Sequence, residues 1–327
     1  MRVFVTGATG FIGSTIVREL ISAGHEVTAL ARSSDSAKRL EAAGAGVARG
    51  TVDSLDVLRR EAGRADGVIH TAFFHALSHM ALGTRLRVLL GGAPSGIVGR
   101  FTAEAAGADR RAIEAMGSAL DEGAPLVAAF PTMALKAGQI AEETDAADPH
   151  SVGGGRAGTE QAINGLAERG LRAATVRLPP LVHDETKQGL VTQLIAAAGK
   201  KHVSGYVGAG ENRWCAVHRQ DAARLFVRAL ERGEPGRHYH AIGEDPIPLR
   251  TIAEAIGSVS DVPVKSLSPK EAAKHFGWLA AFIGADNPVV SKITQEALAW
   301  TPTGPDLLAD VGGVITRAGA RASPPRT

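Results

Sequence analysis

Short apolar runs alternate with longer amphipathic stretches through the first half of the chain. Val3–Thr6, Glu26–Leu30, Gly46–Ala48, Gly67–Thr71, Gly123–Phe130 and Arg172–Leu178 have the length and composition that predict strands. Between the first two, Phe11–Ala23 sets Ile12, Ile16, Leu20 and Ile21 near one helical face and stops at Gly24. Ser36–Ala43, Ser54–Glu61 and Thr159–Arg169 read as helices in the same way. Strand and helix in alternation predict βαβ crossovers and therefore a parallel sheet. The fold class expected is α/β, a doubly wound parallel sheet followed by a smaller α+β C-terminal part.

Two regions break this rhythm. Ala76–Phe101 is apolar, carries Gly91-Gly92, Arg85 and Arg87, and fits neither period, so a loop-helix insertion is expected there. The last third mixes short elements: helix Asp221–Glu231, strand His238–Ile242, helix Leu249–Ser258, strand Pro263–Leu267, and helices near Pro269–Phe276 and Thr294–Ala299. The tail Ala322–Thr327, with two prolines, is expected to be disordered. No repeat of solenoid or propeller period is present.

Composition narrows the possible chemistry. The 36 Lys+Arg and 34 Asp+Glu leave a net charge of +2 without basic clusters, which argues against a nucleic-acid partner. Cys215 is the single cysteine, so a disulfide framework and a multi-cysteine zinc site are excluded. No His or carboxylate cluster has ligand spacing, so no metal is expected. No apolar run reaches the roughly 18 residues of a membrane span. With no export signal visible, a cytoplasmic protein without a membrane partner is the expectation.

The segment Val5-Thr6-Gly7-Ala8-Thr9-Gly10-Phe11-Ile12-Gly13 leaves the first strand and opens the first helix. In that context Gly7 permits a tight turn, Gly10 lets the backbone approach a pyrophosphate, and Gly13 lets the helix pack closely. Free N–H groups and the positive helix end would face phosphates. Gly7, Thr9, Gly10, Phe11, Ile12 and Gly13 are therefore the candidate phosphate cradle. NAD-preferring sites place an acid at the end of the second strand, about 20 residues beyond the glycines. Here that end reads Ala31-Arg32-Ser33-Ser34; Arg32 and Ser33 suit a 2′-phosphate, so NADP(H) is expected over NAD(H).

TGATGFIG, with Gly-x-x-Gly-x-x-Gly spacing, resembles the signature of extended short-chain dehydrogenases/reductases, the NAD-dependent epimerase/dehydratase-like family. Arg177-Leu178-Pro179-Pro180, Arg213-Trp214 with Val217-His218-Arg219-Gln220-Asp221-Ala222, and Leu298-Ala299-Trp300-Thr301-Pro302 resemble further segments of that family. The resemblance runs from about residue 1 to about residue 310. It implies a Rossmann domain over residues 1–178 and a mainly substrate-binding domain over 179–320, with a segment near 213–242 returning to the Rossmann core. It further implies adenine contacts from Thr51 or Val52, cofactor-lining backbone at Thr71 and Ala72, and a place near the nicotinamide for Pro179. A homodimer is common in such proteins.

The same family carries a Tyr-x-x-x-Lys pair on the helix after the fifth strand, with a Ser or Thr at that strand's end. Tyr206 and Tyr239, the two tyrosines here, lie beyond that helix, and neither has a lysine four residues later. Aligned on the resemblance, Arg156 takes the Tyr position, Glu160 the Lys position, and Thr132 the Ser/Thr position. Arg156 cannot be a general acid at neutral pH but binds oxyanions or carboxylates; Glu160, one turn on, is its expected ion-pair partner. Thr132 is expected to hold a substrate oxygen. His75 and His79 after the fourth strand, His183, His218 and Tyr206 are the other candidate acid–base groups, whereas His70 reads as structural. Phe74, Phe101, Phe276, Trp278 and Phe282 point to an apolar small-molecule substrate. The expected activity is NADP(H)-dependent carbonyl reduction or alcohol oxidation. The alternatives are a non-catalytic NADP(H)-binding regulator or scaffold, and a non-redox cyclase, dehydratase or isomerase.

Overall fold

The computed structural model describes residues 1–93 and 96–312. The tail expected to be disordered lies outside the described residues. The chain begins β1 (Arg2–Thr6), α1 (Gly13–Ser22), β2 (Glu26–Ala31), α2 (Ser34–Ala42), β3 (Gly46–Arg49), α3 (Leu55–Ala62) and β4 (Gly67–His70). After two further helices, α4 (Leu82–Leu90) and α5 (Ile97–Gly117), come β5 (Pro125–Pro131), α6 (Ala157–Glu168) and β6 (Arg172–Leu178). Then follow β7 (Leu181–Asp184), β8 (Lys187–Gln188), α7 (Val191–Lys201), β9 (Ser204–Val207), β10 (Arg213–His218), α8 (Arg219–Arg232) and β11 (His238–His240). The described elements end with β12 (Glu244–Pro248), α9 (Leu249–Ser260), β13 (Val264–Leu267), α10 (Pro269–Phe276), α11 (Ala280–Ile283) and α12 (Lys292–Leu298).

Seven strands form one sheet in the order β11-β6-β5-β4-β1-β2-β3, every pair parallel. The order reverses between β1 and β4, and in such sheets ligands bind beyond the strand ends at that reversal. Helices cover both faces. On one, α1 and α8 pack through Ile16, Val17, Leu20, Leu225 and Phe226, all essentially solvent-free; on the other, α3, α5 and α6 pack through Leu58, Ile113, Met116, Ile163 and Leu166. Burial on both faces is why the strands read as continuous apolar runs. A four-stranded sheet, β12-β10-β7-β8, and a two-stranded one, β13-β9, lie in the later part with their own apolar cluster around Leu194, Trp214, Ile252 and Phe276.

Several boundaries move for local reasons. The first helix opens at Gly13 rather than Phe11, because residues 7–12 form a turn closed by the Gly10 N–H to Gly7 carbonyl bond at 2.8 Å. Within the expected insertion, α4 is a separate helix and α5 a 21-residue one that runs on to Gly117. Its buried face includes Ala105, Ala108, Ala112 and Ala115 beside Ile113 and Met116, and the small side chains give weak apolar contrast. Phe74 and Phe276 are buried in the core, and Phe101 and Phe282 pack against it, so the aromatic residues do not define an apolar substrate pocket. Trp278 alone among them is largely exposed, at 62%.

The glycine turn is packed to contact. A Cβ on Gly13 would lie 2.1 Å from the Gly7 carbonyl oxygen, and one on Gly7, whose φ is +72°, would lie 2.5 Å from Thr71 Oγ1. Gly13 therefore serves the turn itself, and Gly7 the contact between turn and β4. Gly13→Ala is expected to lower stability by about 1–3 kcal/mol in urea denaturation; an unchanged midpoint would show that the turn has slack.

Candidate active site

Every element of the cradle ends on the same edge of the sheet. Thr71, following β4, donates its hydroxyl to the Thr6 carbonyl at 2.9 Å and so ties the β4 exit to the start of the turn. Gly10 is exposed, while Gly7, Thr9, Phe11, Ile12 and Ala72 are half-buried and Gly13 is buried. Arg32 and Ser33 leave β2 into solvent, and Ser33 caps α2 by accepting the Ser36 N–H at 3.2 Å. Beyond β3, the Thr51 N–H donates to Ser54 Oγ at 3.0 Å and Val52 is buried. Pro179 is buried between β6 and β7. The structure thus brings the thirteen candidate cofactor residues to the strand ends of one sheet.

A contact that the sequence did not signal closes the turn from outside. Arg219, at the start of α8, lies over the Phe11 ring at 4.7 Å and pairs with the buried Asp184 at 2.6 Å. The later sheets are thereby fastened to the glycine turn.

Beneath this edge lies a buried polar network centred on Asp109 of α5. Its Oδ2 accepts from Arg156 Nη2 at 2.9 Å and from the Thr159 hydroxyl at 2.6 Å; its Oδ1 is 3.2 Å from His70 Nε2. The other His70 nitrogen is 2.7 Å from the Thr6 hydroxyl. Burial opposes the charge on Asp109, but the Arg156 guanidinium and the His70 and Thr159 hydrogen bonds prevail and hold its carboxyl at about 2. Arg156 also donates to the Ala129 carbonyl at 2.9 Å and lies over the Phe73 ring at 4.5 Å.

These contacts revise three expectations about the catalytic position. Arg156 does not pair with Glu160; its partner is Asp109, an anion reached across the helix pair α5–α6. Glu160 instead binds the fully buried Arg177 at 2.8 Å and accepts the Ala147 N–H at 3.2 Å. Burial outweighs pairing there, raising the Glu160 carboxyl and lowering the Arg177 guanidinium from their ordinary values. Thr132 is fully buried; its hydroxyl donates to Asn287 Oδ1 at 2.7 Å, and Asn287 returns a bond to its carbonyl at 3.1 Å. A hydroxyl has one proton to donate, so Thr132 has none left for a substrate oxygen. His75 differs: it is exposed, three residues past Ala72, with its ring edge-on to Phe73 at 5.5 Å.

Other titratable groups are engaged by partners of their own. His183 is buried between Asp310, at 2.7 Å, and Glu244, at 3.3 Å; the two carboxylates raise it although burial acts the other way. The Tyr206 hydroxyl accepts from Arg250 at 3.0 Å, and that of Tyr239 accepts the Glu234 N–H at 2.9 Å. Among the described residues, no group of His, Cys, Asp and Glu could hold a metal ion. No helix among the described residues is long and apolar enough to cross a membrane.

A seven-stranded parallel sheet with a glycine-rich turn at its reversal point defines a dinucleotide-binding α/β protein. The chain belongs to the NAD dependent epimerase/dehydratase family, whose pattern matches residues 3–82. It is 42% identical to the uncharacterized protein C2A9.02 of Schizosaccharomyces pombe over 317 residues, 95% of this chain and 98% of that one. A 4-hydroxy-2-methyl-3-oxo-4-farnesyl-3,4-dihydroquinoline-1-oxide ketoreductase of Stigmatella aurantiaca is 26% identical, over 89% of this chain and 84% of that protein. The structure of a dTDP-glucose 4,6-dehydratase from Streptomyces venezuelae with NAD bound superposes with a TM-score of 0.70 at 19% identity, covering 98% of each chain.

Replacing Asp109 by Asn leaves the half-buried Arg156 charge without its counter-ion. The expected loss is about 3–5 kcal/mol near neutral pH. Because the folded carboxyl lies at about 2, below its ordinary 3.8, its contribution is present above about pH 4 and lost as pH falls through 2. The gap between wild type and Asp109→Asn in urea denaturation should therefore narrow between about pH 4 and 2; a gap that stays constant over that window would remove Asp109 from this role.

Proposed function

We propose that the chain is an NADP(H)-dependent oxidoreductase that transfers hydride between the nicotinamide and a carbonyl or alcohol carbon of a small molecule, with no tyrosine in the site. The observation that carries this reading is the contact-packed turn at the sheet reversal together with Arg32 and Ser33, rather than an acid, at the end of β2. The backbone of residues 7–12 would hold the pyrophosphate, with Gly10 exposing no side chain in its path. Thr51 or Val52 would border the adenine, the backbone of Thr71 and Ala72 would line the cofactor, and Pro179 would lie near the nicotinamide. The chemistry NADPH would supply when bound is hydride to the carbonyl carbon, and one proton would have to reach the oxygen. His75, exposed beside the Thr71–Ala72 strip, is the side chain we assign to that proton transfer. The family's dependence on NAD and the similarity to a ketoreductase support the redox reading.

Arg156 and Glu160 hold the frame under this reading, since each is engaged in a buried pair. That same engagement favours a second reading, a protein that binds NADP(H) without turnover. The test is to titrate NADPH by its fluorescence and then follow loss of reduced-nicotinamide absorbance over a panel of carbonyl compounds. Saturable binding with turnover is expected; binding with no turnover on any compound supports the second reading, and no binding ends both. Gly10→Val should abolish binding, because its side chain enters the pyrophosphate path. His75→Ala should keep NADPH affinity but lower turnover by roughly 10²-fold or more, the usual contribution of a general acid. Undiminished turnover in that variant would assign the proton to solvent.

A further inference from the structure

We propose that Arg49 is the second cation of a 2′-phosphate clamp, closing with Arg32 on the group that separates NADP(H) from NAD(H). The proposal rests on the NADP(H) reading above and names a residue for which the sequence gave no sign. β2 and β3 run parallel with Ala31 opposite Arg49. Arg32, the residue after Ala31, and Arg49 therefore leave neighbouring strands at the same edge, the edge that carries the glycine turn. Arg49 reaches across that edge: its Nη2 donates to Ser34 Oγ at 3.3 Å, on the first residue of α2. Ser33, beside Ser34, bonds Ser36 through both its acceptor and its donor. Arg32 and Arg49 are thus exposed cations at the ends of adjacent strands, with the Ser34 hydroxyl at the Arg49 guanidinium.

Their lack of carboxylate partners points the same way. Some exposed arginines of this half of the chain are paired, Arg2 with Asp66 at 2.6 Å, Arg59 with Asp56 at 3.2 Å and Arg60 with Glu61 at 2.8 Å, whereas Arg18, Arg39, Arg87 and Arg111 have no ion pair among the described residues. Among the described residues Arg32 and Arg49 have no ion pair. The one acid of segment 31–40, Asp35, sits in the first turn of α2, where it meets the helix dipole. The positive field also extends to the loop after β4: besides burial, the charges of Arg32 and Arg85 lower the His79 imidazole. A phosphate dianion answers such a field, and forked guanidiniums match its oxygens in pairs. A ribose hydroxyl, as in NAD(H), supplies no charge for either arginine.

Adenosine 2′,5′-bisphosphate and adenosine 5′-monophosphate serve as probes, because they carry the distinguishing phosphate without the nicotinamide. Calorimetric titration of wild type, Arg32→Ala and Arg49→Ala with both probes separates the outcomes. Arg49→Ala should bind the bisphosphate roughly tenfold or more weakly, the order expected from one lost charge-assisted contact, with affinity for the monophosphate unchanged. Unfolding midpoints of the variants should match wild type, since both side chains are exposed. Weakened bisphosphate binding in Arg32→Ala with full affinity in Arg49→Ala would overturn the clamp while sparing the NADP(H) reading. Equal affinity of wild type for the two probes would overturn the NADP(H) reading itself, and the clamp with it.

Discussion

One buried carboxylate joins the parts of the molecule that make the site. Asp109 lies on α5, yet its oxygens meet His70 from β4 and Arg156 and Thr159 from the start of α6. Through His70 it reaches Thr6, the last residue before the glycine turn, and through Arg156 the carbonyl of Ala129 on β5. An isolated anion at such a depth would be very costly; with three hydrogen bonds, one of them from a guanidinium, it is tolerated, and every partner is fixed in place. The relative positions of the β1, β4 and β5 exits follow from that single arrangement. So does the geometry that the cofactor edge inherits.

The same network sets what the start of the helix after the fifth strand does. Arg156 and Glu160 each turn inward to a counter-ion, Asp109 in one case and Arg177 in the other. The two pairs stiffen α6 against the sheet, and their charges are unavailable for proton exchange. Thr132 is drawn inward likewise by Asn287, a residue 155 positions away in the chain. What remains at the open edge is the glycine turn, the strand-end arginines and the exposed His75. Under the proposed reading, chemistry at that edge rests on a bound dinucleotide and on groups from the loop after β4.

The parts of this account that follow from local patterns were legible in the sequence. The parallel strands announced themselves as apolar runs, because both sheet faces are covered. The turn was visible because three glycines at fixed spacing between a strand and a helix have one common physical use. Helix α5 escaped because half of its buried residues are alanine, and with it went Asp109, whose role depends on partners 39 and 47 residues away in the chain. The pairing of Arg156 with Glu160 was a sound local expectation, but tertiary contacts offered each a better-buried partner. Arg49 carries no motif; only the register of β3 against β2 brings it beside Arg32.

The most direct measurement follows the hydride itself. NADPH carrying deuterium at the transferable nicotinamide position would be incubated with the protein and a carbonyl compound that it consumes, and the product analysed by mass spectrometry and NMR. The account predicts one deuterium on the carbinol carbon of the alcohol and none lost to water. A product without the label, or NADPH that stays bound and unconsumed beside every carbonyl tried, would contradict it.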